Sequence, residues 1–72
     1  MEFYIRLKEI RKSRKETQVT ISQKIGLTER QYQRLEANDS KPNYESLISL
    51  ADYFNVSLDY LVGRTDNPEI NK

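Results

Sequence analysis

Glu29, Arg30, Gln33 and Arg34 fall within the stretch ERQYQR, which reads as the start of a short helix. At positions i, i+1, i+4 and i+5 they share one helix face. Their side-chain types are those that read base edges: arginine reaches guanine with two donors, glutamine pairs with adenine, and glutamate accepts from the cytosine amine. A solvated surface is the default meaning of any polar helix face, so the surrounding elements have to decide. Glu29 also has a plain reason for its place, since an acid at a helix N-terminus complements the helix dipole. Facing a duplex, it would repel phosphate and penalise wrong sites as much as it rewarded a cytosine.

Residues 17–38, TQVTISQKIGLTERQYQRLEAN, read as two short amphipathic helices joined at Gly26, a helix-turn-helix. Thr17 caps the first, Ile21 and Ile25 face inward, and Gly26 ends it in a left-handed turn. Thr28 caps the second, Gln31 completes a capping box, and Tyr32 and Leu35 point to the core. Upstream, Phe3, Leu7 and Ile10 at i, i+4 and i+7 predict a helix over about 3–14, with Arg6, Lys8, Lys12 and Arg14 away from its core stripe. Downstream, a loop over 38–42 precedes a fourth helix capped by Asn43 and carrying Leu47, Ile48, Leu50, Ala51 and Phe54. Asn55 ends it, Ser57 caps a short fifth helix through Leu58, Leu61 and Val62, and Gly63 stops that one. The expectation is an all-α fold, a compact bundle of about five short helices over residues 1–64, followed by a polar tail over 65–72 that Pro68 interrupts.

A chain of 72 residues suits one small domain, and 36% hydrophobic with 32% charged residues provides one modest core. No apolar run approaches the roughly 18 residues of a membrane-spanning helix and no signal peptide is visible, so a soluble, cytoplasmic protein is expected. Without cysteine there is no disulfide or thiolate metal site, and without histidine the usual zinc ligands and the commonest general base are missing. A Ser/Lys or paired-carboxylate enzyme would need a cleft that so small a helical domain does not obviously offer. No enzymatic activity, cofactor, metal, small-molecule ligand or membrane contact is expected. The net charge is only +1, yet residues 1–36 hold nine basic and five acidic side chains while residues 37–72 hold three and six. The basic half could meet phosphates on one face, or these could be ordinary solvated helix faces.

These elements resemble the lambda-repressor-like helix-turn-helix domains of phage-repressor (Xre/Cro) type, over about residues 3–64. The matching residues are Leu7 with Ile10 and Arg11, then Thr17, Gln18, Ile21 and Gly26, then Leu35 and Glu36, Pro42, Leu47 through Ala51, and Val56, Ser57, Leu58, Asp59 and Leu61. Four positions depart from the pattern: Lys15 stands where the family often has glycine, Glu16 where it has an apolar residue, Ser22 where it prefers alanine, and Asn38 where it often has glycine. Two of the four lie in the connection between the first and second helices. The resemblance implies a salt bridge between Arg11 and Glu36 joining the first and third helices, and a phosphate-binding role for Gln18. A capped helix end offers free N–H groups to a phosphate, so Thr17 and Gln18 are expected there. Asn38 and Lys41 would grip the neighbouring phosphates.

The function expected is that of a sequence-specific double-stranded DNA-binding transcriptional regulator, a repressor acting as a dimer on a palindromic operator. Two recognition helices would then enter successive major grooves about 34 Å apart. Leu58 and Tyr60 on the short fifth helix are the expected self-contact, with pairing chiefly on DNA. The alternative is a protein-interaction module, such as an antitoxin or adaptor subunit, working through the acidic C-terminal half.

Overall fold

Among the described residues, each helix is followed within two residues by one in the left-handed conformation: Lys15 (φ 57°), Gly26 (77°), Asn38 (61°), Asn55 (57°) and Gly63 (84°). The computed structural model, which describes residues 1–69, places them after α1 (Phe3–Ser13), α2 (Gln18–Ile25), α3 (Glu29–Glu36), α4 (Tyr44–Phe54) and α5 (Leu58–Leu61). The left-handed residue turns the chain so that the next N–H groups bond back to the last carbonyls, as Glu16 does to Arg11, Asp39 to Arg34 and Val56 to Ala51. Glycine and asparagine accept this conformation readily; Lys15 does not, and it occupies the position where the resemblance anticipates glycine. At Gly63 a close approach adds to the requirement, because a β-carbon there would lie 1.8 Å from the Met1 carbonyl oxygen.

The starts of the four helices after α1 are fixed by side chains. Thr17, Thr28, Asn43 and Ser57 each accept the N–H three residues on, and Gln31 closes the capping box by accepting the Thr28 N–H at 2.9 Å. Caps matter here because α2 and α3 are only eight residues long, below the length at which an isolated helix persists in water. Packing supplies the rest. Leu7, Ile10, Ile21, Tyr32, Leu35, Leu50, Ala51, Phe54, Val56 and Leu61 form a single buried cluster to which every helix contributes. Ser22 is buried as well, and its hydroxyl is satisfied by donating to the Val19 carbonyl at 2.7 Å. A small polar residue thus fits where the related pattern prefers alanine.

One expectation is corrected. Arg6, expected away from the core stripe of α1, is 2% exposed, because three residues after Phe3 and four before Ile10 it stands beside that stripe. Its Nη2 donates to Asp66 at 3.0 Å, its Nε to the Met1 sulfur at 3.2 Å, and its guanidinium lies 3.9 Å from the centre of the Tyr60 ring. Residues 65–69, expected as a polar tail, run back along the domain: the Ser57 N–H donates to the Pro68 carbonyl at 3.0 Å. Residues 70–72 of that expected tail lie outside the described residues.

Candidate nucleic-acid interface

Glu29, Arg30, Gln33 and Arg34 are all exposed on α3, opposite the buried Tyr32, Leu35 and Glu36. Strong amphipathicity over eight residues produces this, since three inward side chains suffice to seat the helix and leave its other face free. Gln33 donates to Glu29 at 3.2 Å, so these two exposed side chains brace one another. Arg34 and Lys41 line the same cleft of about 280 Å³ between α3 and the loop before α4, together with Gln31, Ser40 and Asn43. Asn38 is exposed at the head of that loop.

The start of α2 is the second part of the face. The Thr17 hydroxyl takes the Thr20 N–H at 3.1 Å, leaving the N–H groups of Gln18 and Val19 without a helical carbonyl partner. Gln18 is half-buried and its Nε2 donates to Glu36 Oε1 at 3.2 Å. The structure therefore sets the beginning of α2 against the last residue of α3. The base-edge candidates on α3 and the phosphate candidate Gln18 on α2 are thus joined through one carboxylate.

That carboxylate is 1% exposed and is held by Arg11 with two bonds, Nε to Oε2 at 2.7 Å and Nη2 to Oε1 at 3.0 Å. Arg11 also donates from Nη1 to the Glu16 carbonyl at 3.1 Å, tying down the chain two residues before α2. Burial works to raise the Glu36 pKa, but the hydrogen bonds from Arg11 and Gln18 and the polar Tyr32 hydroxyl nearby outweigh it and hold Glu36 below the usual carboxylate range. Tyr32 Oη is itself buried without a partner in hydrogen-bonding geometry among the described residues, and burial, followed by the neighbouring Glu36, pushes that phenol upward. The pair implied by the family resemblance is thus present, inside a larger junction.

The basic half of the chain is more selective than its composition implies. Three of its nine cations, Arg6, Arg11 and Arg14, are engaged internally, Arg14 through a 2.7 Å bond to the Phe54 carbonyl and its position 5.7 Å from the Phe54 ring centre. Lys8, Lys12, Lys15, Lys24, Arg30 and Arg34 stay exposed, as does Lys41, and none of them forms an ion pair among the described residues. Sequence reasoning missed the internal roles of Arg6 and Arg14. The available signal was the choice of arginine over lysine at positions 6, 11 and 14, since a planar guanidinium tolerates partial burial and stacking better than an ammonium. Glu16, where the related pattern is apolar, accepts a hydrogen bond from Tyr53 on α4 instead. Leu58 is 41% exposed, whereas Tyr60 is half-buried beneath Arg6.

Among the described residues, no helix is long and apolar enough to cross a membrane and no cluster of acidic residues could hold a metal ion. Residues 7–61 match the family model described as helix-turn-helix. Over 64 residues the chain is 39% identical to the HTH-type transcriptional regulator YobD of Bacillus subtilis and 33% identical to the cryptic phage CTXphi transcriptional repressor RstR of Vibrio cholerae. Each alignment covers 89% of this chain and 57% of the relative, so the chain spans little more than half the length of these proteins. The fold is similar to that of the P22 c2 repressor in complex with synthetic operator 9T, with a TM-score of 0.83 at 25% identity, covering 90% of this chain and 98% of the other.

Proposed function

This chain belongs to the helix-turn-helix family of transcriptional regulators, and we propose that it binds double-stranded DNA sequence-specifically as a repressor, paired on a palindromic operator. The observation that carries this reading is the pairing of an exposed, uncompensated polar face on α3 with the open N-terminus of α2 and Lys41 beside Arg34. Cations without internal partners and unsatisfied N–H groups are the chemistry a phosphate backbone recognises. Arg30, Gln33, Arg34 and Glu29 read base edges; Thr17, Gln18, Asn38 and Lys41 hold phosphates. The reaction class is binding, with no chemical step.

Pairing follows from the size of the face, because a few base contacts and a few phosphate contacts seldom reach the affinity of about 10⁻⁸ M typical of specific regulators. Leu58 is the exposed apolar member of the self-contact, with Tyr60 beside it held in place by Arg6.

Selection from a random duplex pool tests the reading directly: the enriched motif should be an inverted repeat. On that motif Arg30→Ala should cost about 1–3 kcal/mol and relax one base position, while Gln18→Ala should weaken all sequences alike. Unchanged operator affinity of Arg30→Ala in a mobility-shift assay would remove it from the readout. Leu58→Asp should abolish cooperative occupation of the full site and leave half-site binding and the thermal melt nearly intact; full-site binding at wild-type strength would put the self-contact elsewhere.

A further inference from the structure

We propose that Glu36 is a positioning residue for DNA binding: from within the core, its carboxylate sets the Gln18 amide in the orientation that presents its second N–H to a phosphate. This rests on the DNA-binding reading above and names a residue that touches no DNA itself. Glutamine has three rotatable side-chain bonds, and at a solvent-facing helix start it would sample many rotamers whose ordering opposes binding. Here one of its N–H groups is already committed to Glu36 Oε1 at 3.2 Å. The planar amide then has one N–H and its carbonyl oxygen left, in a fixed plane.

The fixing point is itself immobile. Glu36 Oε1 also accepts from Arg11 Nη2 at 3.0 Å and Glu36 Oε2 from Arg11 Nε at 2.7 Å, so the carboxylate cannot rotate to follow Gln18. The same guanidinium holds the Glu16 carbonyl, so backbone and side chain at the start of α2 share one anchor. Since Glu36 is also the last residue of α3, the amide meant for phosphate and the face meant for bases keep a constant relative position.

A cycle of Glu36→Gln and Gln18→Ala in duplex binding separates this role from a merely structural one. Glu36→Gln should weaken binding about three- to tenfold when Gln18 is present, the range of one net hydrogen bond, and leave it unchanged in the Gln18→Ala background. Equal loss in both backgrounds would overturn the proposal. Should Glu36→Gln not fold, Glu36→Asp keeps a carboxylate charge beside Arg11 while drawing the shared oxygen back from both Gln18 and Arg11, and the same two outcomes apply. The free protein gives an independent readout: the two Gln18 side-chain amide protons should resonate apart from those of the exposed glutamines and move to ordinary values in Glu36→Asp. Amide protons unmoved by that substitution would also overturn it. A wild-type protein that binds no duplex would sink the DNA-binding reading but leave the amide result standing on its own.

Discussion

Arg6 and Arg11, five residues apart on α1, each tie the first helix to a distant part of the chain, and they do so in opposite ways. At the second junction the deeply buried charge is the carboxylate: Glu36 is 1% exposed and Arg11 15%. At the first it is the guanidinium: Arg6 is 2% exposed, and its acid, Asp66, is fully exposed. Glu36 depends on Arg11 because a stranded carboxylate in the core has no other source of neutralisation. Arg6 depends far less on Asp66, since the Tyr60 ring faces its guanidinium and its methylene stem packs whether or not the acid is present. An ion pair found in a structure therefore says little until the burial of each partner is known.

The largest effect should come from the Arg11 junction. Arg11→Ala and Glu36→Ala should each lower unfolding stability by about 3 kcal/mol in urea titrations, and the double variant should lose clearly less than the sum. Strict additivity would mean the two groups do not interact.

The same pair predicts a pH dependence. The folded-state pKa of Glu36 lies below its ordinary value of 4.5, so its contribution is complete above that value and is lost as pH falls through the lower folded-state pKa. Wild-type melting temperatures should therefore fall more steeply below pH 4.5 than those of Glu36→Gln; parallel curves would assign the acid sensitivity to other carboxylates.

At the Arg6 junction the asymmetry itself is the prediction. Arg6→Ala should cost about 1–2 kcal/mol through lost stacking and packing, measurable by denaturant unfolding. Asp66→Ala should change stability far less, by an amount that disappears at 1 M salt. Equal losses from the two substitutions would show that the ion pair, not the ring, holds Arg6, and the contrast with Arg11 would collapse.

The local features of this chain were legible because local physics sets them. A threonine, asparagine or serine ahead of an apolar run can satisfy the first N–H groups of a helix, and a glycine or asparagine after it can turn left-handed, so Thr17, Thr28, Asn43, Ser57, Gly26, Asn55 and Gly63 mark their helices without reference to the fold. The exposed face of α3 was legible for the same reason, as the complement of Tyr32 and Leu35. The Arg11–Glu36 pair came from resemblance, because 25 residues separate the two and no periodicity links them.

Tertiary structure decided which partners the long polar side chains find. Arg6, four residues before Ile10, and Arg14, four residues after it, lie on the core side of α1 whereas Lys8 and Lys12 point away; Arg6 meets Tyr60 and Asp66, and Arg14 meets Phe54, because α4, α5 and the following segment pack there. Gln18 reaches Glu36 only because α2 and α3 are neighbours, and Glu16 finds Tyr53 only because α4 lies across the first turn. A helix of this sequence can be foretold from its own residues, whereas the partner of a flexible, charged side chain is supplied by whichever other element arrives beside it.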